Sequence, residues 1–291
     1  MLTQLSNQIA DVVGAVAPSV VQVQGHRRPA SGIVYGPDLV LTTARVVGRA
    51  EHPRIRRADG QAFESDVAGW DATTRLALLK VAGLNGSALA PAGLPRVGQI
   101  AIAIARSWSN ALTATAGLVS VIGGPLPTAP HRSIPEVIRT SAPMHEGFAG
   151  GAFADADGHL LGVATAYSIR GLGVVIPARI AWESAASMEH GGVKRGYLGI
   201  AAQTVGVPER QRSTTGVGEA LLVLSVKEGT PADQAGLLVG DLLLAVDDRP
   251  VTSPDELLDL LAGDRVGRSV RLRVLRGGSP LEVDVTVAER R

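Results

Sequence analysis

The sequence of 291 residues contains no cysteine. This excludes disulfide bonds, zinc–thiolate sites and thiol catalysis, and leaves the redox compartment undetermined. The six histidines show no H-x-x-x-H or H-x-E spacing, so the sequence predicts no metal site and no cofactor. Aromatic residues make up only 3% of the chain, so its cores must be built from Val, Leu, Ile and Ala.

The chain also lacks a charge excess and a long apolar run. Its formal net charge is +1, so bulk charge indicates neither nucleic acid nor an anionic membrane as partner. The N-terminus, "MLTQLSNQIADVVGAVAPSVVQVQG", has no basic n-region and no long apolar h-region. As written, the chain is therefore expected to carry no signal peptide and no membrane span, and to be cytoplasmic. A removed leader would make it periplasmic or extracellular.

Residues 19–183 have the pattern of an all-β structure. Short apolar segments such as "SVVQVQG", "LVLTTA" and "IAIAIA" alternate with Gly, Pro, Asp and Asn, which favours a barrel or a sandwich. Asp-Gly pairs in "DGQAF" and "DADGHLLG" predict hairpins. A short amphipathic helix is expected before Pro18, and "PARIAWESAASM" predicts a helix at the end of this region.

The pattern changes after "HGGVKRG", residues 190–196, whose glycine and charge content predicts a linker. Strands are expected in "YLGIAAQTV" and "ALLVLSVKEG", and a hairpin in "DLLLAVDDRPV". "TPADQAGL" predicts a short helix with Thr230 as N-cap. "SPDELLDLLAG" predicts a second helix, capped by Ser253 and ending at Gly263. Two strands around Gly277-Gly278 are expected to close the chain.

Three segments carry a family resemblance: "SGIVYGPDLVLTTARVV", "GWDATTRLALLKV" and "TSAPMHEGFAGGAF". In this order they resemble the HtrA (Deg) family of serine proteases, and "GLGVVIPA" and "GYLGI" extend the resemblance over nearly the whole chain. The resemblance implies a mostly β fold, in which a chymotrypsin-like double β-barrel is followed by a small α+β PDZ domain. The implied boundaries are 1–189 for the protease-fold domain, 190–195 for the linker and 196–291 for the PDZ domain.

The resemblance also locates a catalytic triad whose residues are absent. The family's His, Asp and Ser positions hold Arg45, Arg75 and Ala149. Hydrolysis needs a hydroxyl to attack, an imidazole to move the proton and a carboxylate to orient it. Alanine has no nucleophile, and a guanidinium with a pKa above about 12 is no base. Because losing one key member of such a triad lowers the rate by about 10⁶, the chain is predicted to be inactive.

The backbone of the nucleophile loop is independent of these side chains. The resemblance implies a vestigial oxyanion loop at Gly147, Phe148, Ala149 and Gly150, with the N–H groups of Gly147 and Ala149 as its donors. The rival interpretation is an unrelated glycine-rich turn. Likewise, His145 is either a substitute base or an exposed loop histidine, and we favour the second.

The two arginines allow two interpretations. Either Asp71, Glu146 or a bound anion bridges Arg45 and Arg75 by bidentate hydrogen bonds, or both guanidinium groups extend to water over a relaxed cleft. The second is favoured here.

In the PDZ-like region, "GYLGI" matches the family's carboxylate-binding loop. The assigned loop residues are Tyr197, Leu198, Gly199 and Ile200. Such a loop captures a peptide C-terminus, which then adds as a strand to the adjoining sheet edge. The opposite wall is expected from the helix 255–261. Its candidate pocket residues are Leu257, Leu258 and Leu261. At least one of these leucines is expected to fill the core, and Leu258 is predicted to face the groove.

These observations favour a pseudoprotease that binds peptides or protein C-termini as an adaptor, a chaperone-like protein or a regulatory subunit beside an active relative. The alternative is an active HtrA-type endopeptidase in protein quality control. A third hypothesis is a structural module whose purpose is assembly. The resemblance implies a possible homotrimer, although the N-terminal segment that would mediate it is short and poor in aromatic residues.

Overall fold

The computed structural model describes residues 2–25, 28–48, 50, 52–129, 132–189, 196–209, 212 and 215–289. The chain separates into two compact units, Met1–Gly192 and Val193–Arg291. The linker predicted at 190–195 lies outside the described residues. Among the residues described, no helix combines the length and apolar character that crossing a membrane requires.

The first unit opens with the predicted helix, α1 (Leu2–Val16), followed by a 3₁₀ turn, Ala17–Ser19. Its apolar residues Ile9, Val12 and Val13 pack against the main core of the unit. The helix ends at Val16, before Pro18, as the sequence predicts, because proline lacks the N–H that a longer helix would need.

Most of the first unit is antiparallel sheet. The first sheet has seven strands in the order β5-β4-β1-β2-β3-β7-β6. Its strands are β1 (Val20–Gln24), β2 (Ala30–Gly36), β3 (Leu39–Thr43), β4 (Arg54–Arg56), β5 (Ala62–Glu64), β6 (Asp66–Asp71) and β7 (Leu76–Lys80). The short helix α2 (Ala44–Val47) follows β3 directly.

The second sheet closes into a barrel in the order β12-β15-β14-β13-β8-β9. Its strands are β8 (Ile100–Ser107), β9 (Ala111–Gly123), β12 (Val137–Thr140), β13 (Ala152–Ala154), β14 (Leu160–Ile169) and β15 (Leu172–Pro177). A separate hairpin joins β10 (Leu126–Ala129) to β11 (Arg132–Ile134), and α3 (Ala178–Glu189) ends the unit. The predicted Asp-Gly hairpins are confirmed as β4–β5 and β13–β14.

The second unit is a small α+β structure. Its main sheet has the order β17-β18-β19-β21-β22, with β20 paired to β19, and β16 pairs with β23 separately. The strands are β16 (Gly196–Tyr197), β17 (Ile200–Gly206), β18 (Glu219–Val226), β19 (Leu242–Val246), β20 (Arg249–Pro250), β21 (Ser269–Arg276), β22 (Ser279–Thr286) and β23 (Ala288–Glu289). Two helices, α4 (Pro231–Gln234) and α5 (Pro254–Leu260), accompany them. The predicted mostly β architecture with an α+β tail is thereby confirmed.

Both predicted N-cap positions are confirmed, but only one of the two residues caps its helix with its side chain. Ser253 accepts the N–H of Glu256 and forms a reciprocal capping box at the start of α5. Thr230 is the N-cap residue of α4, but its side chain makes no cap, and its hydroxyl donates to the carbonyl of Lys227 at 2.5 Å. Gly263, expected at the end of α5, instead begins a 3₁₀ turn, since the helix already ends at residue 260.

Candidate functional site

Arg45 and Arg75 lie beside each other at one end of the strand pair β3–β7. In this pair Thr43 is opposite Leu76, so Arg45 follows one strand and Arg75 precedes the other. The N–H of Ala44 donates to the carbonyl of Arg75 at 2.7 Å and ties the two segments together. The fold therefore brings together two positions that are 30 residues apart along the chain.

The loop that contains Ala149 is docked on the same region. The N–H of Ser31 donates to the carbonyl of Ala149 at 3.0 Å, and the buried hydroxyl of Ser31 donates to the carbonyl of Gly147 at 2.8 Å. Arg45 reaches the loop directly, because its Nη2 lies 2.7 Å from Oε1 of Glu146. The structure thus brings Arg45, Arg75 and the loop of Ala149, the positions that the resemblance aligns with a triad, to one site of the first unit.

Two glycines let the loop approach its neighbours closely. A Cβ on Gly150, whose φ is +82°, would lie 2.2 Å from the carbonyl oxygen of Ser31. A Cβ on Gly151 would lie 2.6 Å from the carbonyl oxygen of Ile104. Only glycine meets both the steric and the conformational requirement at residue 150. The loop therefore depends on glycine at residue 150 to pack closely against β2.

The N–H groups in this loop are satisfied internally. Glu146–Phe148 form a 3₁₀ turn capped by His145, whose Nδ1 accepts the N–H of Gly147 at 3.0 Å. The N–H of Ala149 donates to the carbonyl of Glu146 at 3.1 Å. The structure departs from the open pair of donors that the family resemblance implies, because the turn and its cap use both groups.

Aromatic rings surround the cap of this turn. The ring of His145 stacks on Trp108, with centroids 5.0 Å apart and planes 25° apart, and meets Phe148 edge-on at 4.9 Å. The carbonyl of Trp108 accepts the side-chain amide of Gln22 at 2.8 Å. Among the described residues, no histidine hydrogen-bonds a serine or threonine hydroxyl, so the geometry offers His145 no nucleophile to activate.

Of the two acidic residues proposed to bridge the arginines, Glu146 contacts one of them. The side chains of Arg45 and Glu146 are 58% and 60% exposed, so this ion pair adds little to stability. Arg75 donates from Nη2 to the carbonyl of Thr128 at 3.0 Å. The guanidinium of Arg45 is thus held by the loop and lies in contact with solvent.

Asp71 serves the local structure next to the site. Its Oδ1 accepts the N–H of Thr73 at 2.7 Å, and its Oδ2 accepts the hydroxyl of Ser184 on α3 at 2.8 Å. The hydroxyls of Ser184 and Thr74 are 3.0 Å apart. These contacts fix the turn that leads into Arg75 and account for both carboxylate oxygens of Asp71.

Two contributors to the site escaped the sequence analysis, Ser31 and Arg106. The backbone N–H of Arg106 donates to the hydroxyl of Ser31 at 2.8 Å, and its Nε donates to the carbonyl of Val20 at 2.9 Å. The side chain is buried, and this desolvation lowers the pKa of Arg106 below its usual value. Only the "SG" at residues 31 and 32, inside β2, was a signal for Ser31, and no sequence signal distinguished Arg106 from exposed arginines.

A second candidate site lies at the edge of the sheet in the second unit. Strand β17 is terminal in that sheet, so one side of it has no strand partner among the described residues. The carbonyls of Leu198 and Gly199 accept the N–H groups of Ala232 and Lys227 at 2.9 and 2.8 Å. Within the same described ranges, the N–H groups of Leu198 and Gly199 have no acceptor. Two adjacent donors at the end of an open strand are suited to a terminal carboxylate.

The structure separates the three candidate leucines at α5. Leu257 and Leu261 are buried in the core of the unit, whereas Leu258 is 38% exposed. In the segment 197–200, Leu198 is buried and Ile200 packs partly buried against the same core. Tyr197 pairs with Ala288 in the β16–β23 ladder. Of the three candidates, Leu258 is therefore the one whose side chain is accessible to a ligand.

One group of side chains has the composition of a metal site. Asp155, Asp157 and His159 lie together in the turn between β13 and β14. Oδ1 of Asp155 accepts the N–H groups of Asp157 and His159, each at 2.9 Å. The carboxylate thereby stabilises the hairpin turn, and this role accounts for its position.

Comparison with known proteins identifies both domains of the chain. Family models match residues 30–163 as a trypsin-like peptidase domain and residues 196–287 as a PDZ domain. The periplasmic pH-dependent serine endoprotease DegQ of Escherichia coli is 31% identical, over 85% of this chain and 56% of its own length. The putative serine protease HhoA of Synechocystis is 30% identical, over 89% of this chain and 70% of its own length.

Solved structures extend the likeness to three dimensions. The HtrA-type protease AlgW, solved with a decapeptide, has a TM-score of 0.56 at 26% identity, covering 97% of this chain and 98% of that one. A serine endoprotease from Yersinia pestis has a TM-score of 0.56 at 28% identity, covering 98% of both chains.

Proposed function

The chain belongs to the HtrA family of trypsin-like proteases with a PDZ domain, and from this membership we propose that it binds peptides without cleaving them. The proposal is supported by Arg45, Arg75 and Ala149, which the resemblance aligns with the family's His, Asp and Ser and which lie together at one site. The buried methyl group of Ala149 provides no nucleophile, and neither guanidinium accepts a proton at neutral pH.

Binding is assigned to the second unit. The open edge of β17, the adjacent N–H groups of Leu198 and Gly199, and the exposed Leu258 supply a strand edge, a carboxylate site and an apolar contact. We propose that the C-terminus of a peptide or of an unfolded protein occupies this groove. The chain would then act as an adaptor, a chaperone-like binder or a regulatory subunit of an active relative.

Relatives named serine endoproteases favour a second candidate function, hydrolysis by this chain itself. The two functions are separated by turnover of casein or a fluorogenic peptide. The proposal expects no turnover above buffer for the unmodified protein. Ala149→Ser alone is expected to stay inactive too, because its hydroxyl would have no imidazole to accept the proton.

The binding function is tested with an immobilised library of peptides that have free C-termini. We expect capture of a defined set of sequences, lost on amidation of the terminal carboxylate. Leu258→Glu should weaken binding at least about tenfold, because it places a charge against an apolar ligand side chain. Leu281→Glu is the matched control, since Leu281 is 41% exposed on β22, at the other edge of the sheet. Equal capture by wild type and Leu258→Glu would contradict the groove assignment.

The proposal includes assembly with an active relative or as a homotrimer. Light scattering distinguishes a single chain of 30.0 kDa from a particle of three times that mass. Co-elution with an active relative tests the regulatory-subunit role.

A further inference from the structure

Two side-chain atoms in the first unit are buried and have no hydrogen-bond partner among the described residues: Nε of Arg56 and Oδ1 of Asn110. Arg56 is the last residue of β4. Asn110 belongs to the turn 108–110 between β8 and β9, called here the hairpin tip. Because a buried donor or acceptor without a partner is costly, these two atoms indicate a group that completes them.

The fold brings these two residues together. Gln22 of β1 is directly opposite Arg56 in the β1–β4 ladder, so their side chains lie on the same face of the sheet. That face meets the hairpin tip, since the side-chain amide of Gln22 donates to the carbonyl of Trp108 at 2.8 Å. Nδ2 of Asn110 donates to the carbonyl of Arg57, the neighbour of Arg56, at 2.7 Å. The unpartnered donor and the unpartnered acceptor therefore belong to one surface, where the hairpin tip packs on β1 and β4.

An exposed aromatic ring belongs to the same surface. Trp108 is 55% exposed, although one face of its indole stacks on His145. Its φ is +46°, an uncommon conformation for a residue with a large side chain. Backbone strain of this kind is concentrated at functional sites. The indole thus adds an apolar contact beside the two polar atoms.

Charges of both signs surround Arg56. On one side Arg54 is paired with Glu64 of β5 at 3.2 Å, and on the other Arg57 is paired with Asp59. Arg56 itself makes no ion pair within the described part of the chain. One such cation is suited to a single carboxylate, whereas the two neighbouring acidic side chains would repel the phosphates of a nucleic acid.

We propose that the surface formed by Arg56, Trp108 and Asn110 binds an extended acidic peptide segment. A carboxylate of the ligand accepts hydrogen bonds from the guanidinium of Arg56, whose planar fork matches it. A main-chain N–H of the ligand donates to Oδ1 of Asn110, and a neighbouring apolar side chain packs on the indole. The surface lies on the first unit, so this inference does not depend on peptide binding by the second unit.

Binding is tested on the full chain with an array of acetylated and amidated decapeptides. Each peptide has one Glu beside an apolar or aromatic residue, and the remaining positions vary. Amidation removes the terminal carboxylate that the groove of the second unit is proposed to need. We expect capture of peptides from this set, and replacing their Glu by Gln should weaken it at least about tenfold, because a charge-assisted hydrogen bond is lost. This comparison uses the unmodified protein and depends on no variant.

Variants locate the binding on the surface. Arg56→Gln should weaken capture by a similar factor of about ten. Arg179→Gln is the matched control, because it removes the same charge from an exposed arginine on α3 that is paired with Glu183. Trp108→Ser should weaken capture about fivefold through the loss of the apolar contact. A captured peptide should also raise the amide-exchange protection of β4 and the hairpin tip.

Three results would overturn the proposal. One is equal capture of the Glu and Gln peptides, or equal capture by wild type and Arg56→Gln. Another is an array from which no peptide is captured, which would leave the two buried atoms to ordered water. The third is tighter binding of a single-stranded oligothymidylate than of any captured peptide, which would make nucleic acid the ligand.

Discussion

Replacing Gly150 by alanine tests whether the loop is docked as the structure places it. At a φ of +82°, an alanine is strained by about 1–2 kcal/mol. Its Cβ would also lie 2.2 Å from the carbonyl oxygen of Ser31, which belongs to the paired strand β2 and cannot rotate away. Such overpacking costs about 1–3 kcal/mol more. We expect Gly150→Ala to lower the free energy of unfolding by about 2–5 kcal/mol.

The matched control is Gly171→Ala. Gly171 has a similar φ of +80°, but nothing lies within 4 Å of the position of its Cβ. This variant should therefore lose only the conformational part, about 1–2 kcal/mol.

Urea unfolding followed by tryptophan fluorescence is the assay, because Trp70, Trp108 and Trp182 all lie in the first unit and report on it alone. A loss in Gly150→Ala no larger than in Gly171→Ala would refute the close approach of the loop to Ser31.

Two further predictions concern buried polar contacts. Arg276 pairs with the buried Asp241 through two hydrogen bonds of 2.8 Å, so Arg276→Met should leave that carboxylate unpaired and destabilise the second unit, measured as faster amide exchange in β19 and β21. Burial raises the pKa of Asp241, but the hydrogen bonds and charge of Arg276, with one backbone N–H, outweigh it and lower the pKa overall. The pair therefore contributes its full stabilisation of the unit at pH values above the ordinary Asp pKa of about 4, and this contribution is lost as the pH falls through the lowered pKa of the folded state. A wild-type unit that is equally stable at pH 7 and pH 2 would contradict this. Ser31→Ala leaves the carbonyl of Gly147 and the N–H of Arg106 without this partner, and should cost about 2–3 kcal/mol by the urea assay. A loss below about 0.5 kcal/mol would show that the loop does not depend on this hydroxyl.

The sequence predicted those parts of the fold that are set locally. Hairpins at Asp-Gly pairs and the Ser253 capping box depend on residues a few positions apart, so their patterns are visible in the chain. The N-cap position of Thr230 was predicted correctly, but the sequence does not show that its hydroxyl donates to the preceding carbonyl of Lys227 and makes no bond to the helix.

The details of the site depended on contacts between distant segments. Glu146 was one of the partners considered for Arg45, but the choice of partner depends on where the loop docks. The stacking of Trp108 on His145 joins residues that no spacing relates. A sequence pattern also does not show that the side chain of His145 accepts the N–H of Gly147, which the family resemblance implies to be an open donor.

The central claim is that a protease scaffold here carries no proton-transfer machinery. Its most direct test is turnover of a fluorogenic peptide by the unmodified protein, beside a variant combining Arg45→His, Arg75→Asp and Ala149→Ser. The account predicts that the unmodified protein shows no hydrolysis above buffer at any pH from 5 to 9. Hydrolysis by the unmodified protein that persists through repeated purification, with the cleavage products identified by mass spectrometry, would contradict it.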